Sequence, residues 1–380
     1  VRVAYLIDSL APGGAEYSLL ALAPELLARG VDLEVAYLGG DATVAAPLRA
    51  VGVDVERLGD GRGGRTRNVA RVLRWLRARR PDLLHTTLFE ADQAGRLAAG
   101  FARIPVVSSL VNIAYGPDQL TDPALRPWKL RAARELDSLT ARRAVAFHAI
   151  TGVVADTMAD RLRIRRDRIH VIPRGRSEGA LGLRTPERAA ATRRRLHVAP
   201  NAPLVLAAAR HEHQKSLDVL VRAVPEIVRA VPAVCVIIAG RRGNQSAELE
   251  RLADEQAAAG AVRFLGVRDD VPDLLAAADV FVMPSRWEGF GSVLIEAMAL
   301  EAPIVASDVP AIRDVLGADG ATLVPVDAPG PLALAVVDVL RDPSRARQGS
   351  RALRRRFVER YEIGPIADAT VAFYRDAVGR

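Results

Sequence analysis

The stretch Asp279-Val280-Phe281-Val282-Met283-Pro284-Ser285, followed after Arg286-Trp287 by Glu288-Gly289-Phe290-Gly291-Ser292-Val293-Leu294-Ile295-Glu296, decides the fold. Its first half is a short apolar run stopped by proline, the pattern of a buried β-strand. Its second half, Ser292 to Leu300, has helical composition, with Ser292 placed to cap the helix. The glycines therefore lie on a strand-to-helix loop. In an open parallel sheet such loops stand at the carboxyl ends of the strands, where ligands bind. A helix N-terminus there offers free N–H groups and positive partial charge to an anion. A diphosphate suits that position. Glu288 would face whatever the diphosphate carries, and Glu296, one turn into the helix, could accept hydrogen bonds from vicinal hydroxyls such as those of a ribose. As a bare spacing, two glutamates eight residues apart fit a surface turn and an exposed helix better than a site, so the surroundings must decide.

Outward from this stretch the chain alternates strand-like runs with amphipathic helical ones. The first series of strands is expected at 1–8, 31–38, 53–58, 82–87, 105–111, 146–151 and 168–173. A second begins at 204–210 and continues through 234–240, 262–266, 280–283, 303–307 and 322–325. Two successive βαβ series predict two doubly wound α/β domains with parallel sheets, facing across a ligand cleft. The glycine-rich, charged stretch 174–182 between them suits a linker. The division is expected as 1–178 plus about 362–380 against 179–361. The tail from Arg341 is helical in composition and should break at Gly364-Pro365.

Composition narrows the class. Of 380 residues half are hydrophobic, enough for two sizeable cores, and no run approaches the roughly 18 uncharged apolar residues of a membrane span. The single cysteine, Cys235, excludes an internal disulfide and reads as a small core residue. A cytoplasmic protein is expected, soluble or resting on the inner face of the membrane. The net charge of +8 is almost all arginine, lysine occurring only at Lys129 and Lys215. That excess is moderate, and no nucleic-acid partner is expected from it. The arginine-rich stretches 62–80 and 126–143, each with an apolar side, could contact anionic membrane. Solvated basic faces are the commoner use of such helices.

Other candidate residues gather at the ends of expected strands. Arg210 is expected to end the first strand of the second series, and Lys215 follows just before a helix. A forked guanidinium and a point charge would together neutralise a diphosphate, including the charge that grows on it as a glycosidic bond breaks. Gly13 and Gly14 open the first helix and permit close backbone approach to a ligand. They form neither a dinucleotide fingerprint nor a Walker loop, because the glycine spacing and the Gly-Lys-Ser/Thr are absent. The backbone around Val267 could read a base edge, and Arg242 is expected in solvent. His211 and His213 lack a convincing third donor, so no metal is expected. His85, expected at a strand end, and Asn112 would position an acceptor or take its proton. For His85 a hydrogen-bonded place near the core is at least as natural a reading.

With Gly13-Gly14-Ala15-Glu16, the Arg210/Lys215 pair and the two glutamates in this order, the chain resembles the retaining glycosyltransferases of family 4, which have the GT-B fold. The resemblance spans essentially the whole length. It implies that the C-terminal domain binds a nucleoside-diphosphate sugar and the N-terminal domain the acceptor. Arg210 and Lys215 would take the diphosphate and Glu296 the ribose, while Glu288 with the Phe290 and Gly291 backbone, beside Ser292, would take the sugar. Gly13 and Gly14 would lie near the phosphates. It further implies retention without an obligatory metal or other cofactor, and a last helix that returns to the N-terminal domain. The expected reaction moves a hexose, from UDP by preference, to a hydroxyl of a glycan, glycolipid precursor or small metabolite. The chain departs from the family pattern at three places. Val111 stands where many relatives have histidine, Arg174-Gly175-Arg176-Ser177 where many have Asn-Gly-Val-Asp, and Ser216 where glycine usually follows the lysine. The second change places Arg174 where it could meet an anionic group. A sugar-nucleotide 2-epimerase, or a non-catalytic sugar-nucleotide-binding protein, is the alternative reading.

Overall fold

The computed structural model describes residues 1–59, 64–122, 125–256 and 260–379, so Arg62 of the first basic stretch lies outside the described residues. The chain forms two compact units, Val1–Ser177 with Glu362–Arg380, and Glu178–Tyr361.

In the first unit a parallel sheet is built from β1 (Arg2–Ile7), β2 (Asp32–Tyr37), β3 (Asp54–Arg57), β4 (Leu83–Thr87), β5 (Val106–Leu110), β6 (Ala146–Ala149) and β7 (Ile169–Val171). Their spatial order is β3-β2-β1-β4-β5-β6-β7. The second unit holds β8 (Leu204–Ala208), β9 (Cys235–Ala239), β10 (Val262–Gly266), β11 (Val280–Met283), β12 (Ile304–Ser307) and β13 (Thr322–Val324), ordered β10-β9-β8-β11-β12-β13. Each strand falls inside a run expected from the sequence, because buried parallel strands read as short, almost uninterrupted apolar segments. Both orders reverse direction once, between β1 and β4 and between β8 and β11. At such a switch point neighbouring loops run to opposite sides and leave a crevice at the strand ends.

Helices cover the sheets and close the cores. The helix Leu217–Ala230 buries Leu217, Leu220, Val221, Val224 and Ile227 against β8, β9 and their neighbours. In the first unit the terminal helix Ile363–Val378 buries Ile366, Val371, Phe373 and Tyr374 in the same core as Val3, Tyr5 and Ile7. Each fully buried apolar side chain of this size contributes about 1.5–3 kcal/mol.

Two boundaries and one burial differ from expectation. The break before the terminal helix falls at Tyr361 and Glu362, not at Gly364-Pro365, which sit in the helix's first turn. First-turn N–H groups have no intrahelical acceptor, so Pro365 costs no hydrogen bond there. The helix after β11 runs Ser292–Ala299 and is capped by Gly291, not Ser292. Gly291 has φ +78°, a left-handed conformation that a β-carbon disfavours, and that turn makes Ser292 the first helical residue. Cys235 is only half-buried, as the first residue of β9.

Candidate functional site: the switch point of the second unit

Two loops flank the switch point of the second unit, one between β8 and the helix Leu217–Ala230, the other between β11 and the helix Ser292–Ala299. Arg210 does not end β8. It lies two residues beyond Ala208, exposed, and its guanidinium makes no hydrogen bond or ion pair with any described residue. Its backbone is fixed: Gly240 Cα packs so near the Ala209 carbonyl that a β-carbon on Gly240 would overlap the oxygen. Lys215 closes a single 3-10 turn, His213–Lys215, just ahead of the helix. Ser216 then takes a left-handed conformation with φ +48°, at the position where the family resemblance leads to an expected glycine. The chain reaches the same turn with a residue that pays roughly 1 kcal/mol for it. The Ser216 hydroxyl is buried and without a hydrogen-bond partner.

The second loop meets the first. Lys215 Nζ donates to Glu288 Oε1 at 2.5 Å, and Ser285 Oγ donates to the same oxygen at 2.8 Å. Lys215 and Glu288, expected on different parts of one ligand, are therefore paired with each other in the structure. Phe290 is buried and sets its ring edge-on to Tyr361, which anchors the loop just before Gly291. Glu296 is half-buried in the second turn of the following helix, and Val267 is exposed directly after β10.

Sequence reasoning missed the residues that hold these loops together. Arg286 Nη1 donates to the His213 carbonyl at 2.7 Å, its Nη2 pairs with Asp218 at 3.0 Å and its Nε with Asp327 at 2.8 Å. The Arg286 amide donates to the Gln214 carbonyl, and Gln214 Nε2 donates to the Trp287 carbonyl, both at 2.8 Å. Among so many arginines nothing in the sequence marks this one. Its guanidinium is only 14% exposed and spans three elements.

The two histidines have separate tasks. His211 is buried, with Nδ1 on Ser246 Oγ at 3.0 Å and its ring edge-on to Phe264, and burial lowers its pKa. His213 packs against Trp287. Arg242 is solvent-exposed and paired with Glu250. Among the described residues no three His, Cys, Asp or Glu side chains are grouped to hold a metal ion.

In the first unit the candidate residues have partners within that unit. Gly13 precedes the helix Gly14–Ala28, and the space a β-carbon would need at Gly13 is filled by the Glu16 carboxylate. His85 lies in the middle of β4, not at its end, and is 3% exposed. Its Nδ1 meets Tyr374 Oη at 2.7 Å, its Nε2 meets Ser109 Oγ at 2.7 Å, and Ser109 Oγ meets His148 Nδ1 at 3.1 Å. His148 Nε2 lies 2.7 Å from the Ile172 carbonyl, which can only accept. With neutral imidazoles that end sets the row: His148 Nε2–H donates to Ile172, Ser109 to His148, His85 Nε2–H to Ser109, and Tyr374 to His85. Burial keeps both imidazoles uncharged near neutral pH, holding His85 well below the usual range and His148 at about 4. Asn112 Oδ1 accepts from the Ile113 amide at 2.9 Å, and Arg174 is half-buried, near enough to His148 to add to its depression.

The loop after β5 has its own buried anchor. Arg96 is fully buried and pairs with Asp137, whose other oxygen accepts from Tyr115 Oη at 2.8 Å. Of the basic helices, Arg65–Arg79 turns Val72, Trp75 and Leu76 inward, and Arg79 pairs with Glu34, Asp54 and Glu56. In Pro127–Ala141, Trp128 is 67% exposed beneath the Lys129 ammonium. Among the described residues no helix is long and apolar enough to cross a membrane.

Two doubly wound parallel-sheet units are the architecture of the GT-B fold. Glycosyl transferases group 1 matches residues 202–342, and the Glycosyl transferase 4-like domain matches residues 13–175. The chain is 30% identical over 335 residues to a D-inositol 3-phosphate glycosyltransferase of Kineococcus radiotolerans, covering 78% of this chain and 72% of that protein. It is 34% identical over 292 residues to an alpha-maltose-1-phosphate synthase of Mycolicibacterium smegmatis, covering 70% and 75%. Among solved structures, Anabaena HepE in complex with UDP-glucose superposes with a TM-score of 0.87 at 23% identity, over 99% of each chain. The lipopolysaccharide glycosyltransferase WaaG superposes at 0.76 with 16% identity, over 98% of this chain and 99% of that one. The chain belongs to the family 4 glycosyltransferases, and it is a glycosyltransferase.

Proposed function

We propose that the enzyme moves a hexose from a nucleoside-diphosphate sugar, UDP by preference, to a hydroxyl acceptor with retention at the anomeric carbon and without an obligatory metal. The observation that carries this reading is the gathering of Arg210, Lys215, Glu288 and a glycine-led helix N-terminus on the two loops of one switch point. Arg210 is exposed and unpaired toward described residues, and would fork onto the diphosphate. Lys215 and the first amides of the helix Ser292–Ala299 would meet the remaining charge. Glu288 would read the sugar, Glu296 the ribose, and the backbone at Val267 the base edge. As the glycosidic bond breaks, negative charge grows on the leaving diphosphate, and these cations and dipoles stabilise it. In this reading the leaving phosphate helps to deprotonate the acceptor, so no protein nucleophile is required.

The first unit would receive the acceptor, with the Tyr115-anchored loop after β5 and Arg174 as its nearest candidates. HepE, the related fold, is seen with UDP and glucose, which supports the choice of UDP. The relatives named above act on inositol phosphate or make maltose phosphate, which favours a polar, hydroxyl-rich acceptor. Incubation with UDP-, GDP- and ADP-hexoses tests the donor. The expected outcome is slow hydrolysis of a UDP-hexose, and transfer when a hydroxyl acceptor is supplied. Turnover of none of the three across a broad acceptor panel would contradict the reading.

A further inference from the structure

The pairing of Lys215 with Glu288 places the two principal donor-site charges on each other. Their side chains are 16% and 5% exposed, so the contact is shielded from solvent. Nor is it a chance meeting of loose side chains. Ser285 holds the same carboxylate oxygen, and Arg286 and Gln214 tie the two loops to each other at several points. Arg210 is the contrast: exposed and without a described partner, it can accept an anion with nothing to displace.

We propose that Glu288 competes with the nucleoside diphosphate for Lys215, yielding when the sugar donor binds and returning to expel the nucleotide product. The proposal rests on the donor reading above. A shielded carboxylate separated from its cation has a high cost unless other donors replace it. An arriving sugar nucleotide supplies both replacements, since its diphosphate takes Lys215 and its sugar hydroxyls donate to Glu288. Once the sugar has left with the acceptor, Glu288 keeps only Ser285 as a donor and faces a diphosphate of like charge. Re-forming the ion pair relieves both penalties and weakens the hold on the spent nucleotide. The pair thus separates donor from product by the sugar hydroxyls alone.

Calorimetric titration of UDP, with GDP and ADP in parallel, tests this on the full chain as wild type, Glu288→Gln, Lys215→Met and the double variant. Glu288→Gln should bind UDP roughly three- to tenfold more tightly, since it unmasks the lysine and removes a like charge. The preference for UDP-hexose over UDP should shrink, and the gain should be smaller in the Lys215→Met background. Glu288→Asp withdraws the carboxylate by one methylene and should move UDP affinity the same way by less, which covers a poorly folded Gln variant. UDP bound no more tightly by folded Glu288→Gln and Glu288→Asp than by wild type overturns the competition while leaving the donor site standing. Wild type that binds none of the three nucleotides overturns the donor reading, and the competition with it.

Discussion

At the scale of single residues, groups that would touch the donor differ from the groups that hold them. Lys215→Ala should lower turnover by about 10²–10³-fold, the size of losing one preorganised charge at a leaving group, and should also lower the melting temperature of the second unit, because Glu288 is left shielded without its cation. Glu296→Ala should act chiefly on nucleotide affinity, by about tenfold, with the maximal rate less affected. Steady-state kinetics with calorimetry distinguishes these, and equal loss of rate in both variants would contradict the division of roles. Arg286→Met should lower turnover only through the fold. It leaves Asp218 and Asp327 without their cation, so the second unit should melt earlier as turnover falls. Lys215 was conspicuous in the sequence because nearly every other cation is arginine, whereas Arg286 was hidden for the same reason. A residue that works by spanning three elements leaves no local pattern.

At the scale of elements, strands were the most legible part, because apolar runs such as Leu204–Ala208 end sharply in loop residues. Caps were less so. Gly291 displaced Ser292 as the cap through a positive φ that no composition reveals, and the N-terminus of the helix Phe89–Ala102 is capped from a distant strand end. There Asp8 accepts from the Ala91 amide at 2.6 Å and the Glu90 amide at 3.3 Å, and burial lifts its pKa to about 7 despite both donors. Asp8 thus binds its proton more tightly folded than unfolded, and contributes a stability that falls as pH rises from about 4 through 7. His148, held at about 4, gives the opposite slope: the unfolded chain takes up its proton first, so stability rises with pH from about 4 to 6.5. The two oppose each other in wild type. Asp8→Asn should therefore make the first unit's melting temperature climb more steeply between pH 4 and 6.5 than in wild type, by calorimetry at stepped pH. Parallel profiles would contradict the assignment.

At the scale of the molecule, the sequence pattern indicated two α/β units but not their strand order, since βαβ repeats are compatible with several sheet arrangements. The terminal helix belongs to the first unit although it follows the second in sequence, and the hydrogen-bond row from Tyr374 through His85, Ser109 and His148 fastens it to the sheet. Tyr374→Phe leaves His85 Nδ1 buried without a donor and should cost the first unit about 1–3 kcal/mol, with little change in nucleotide affinity. Because the two units have separate cores, two calorimetric transitions are expected, and a nucleoside diphosphate should raise that of the second unit. The central claim is that the second unit's switch point is the donor site. A crystal structure with a bound UDP-hexose tests it most directly. The account predicts the diphosphate within hydrogen-bond distance of Arg210 and Lys215 at the N-terminus of the helix Ser292–Ala299, with Glu288 released from Lys215 onto the sugar. A diphosphate seated elsewhere, with the Lys215–Glu288 pair intact, would contradict it.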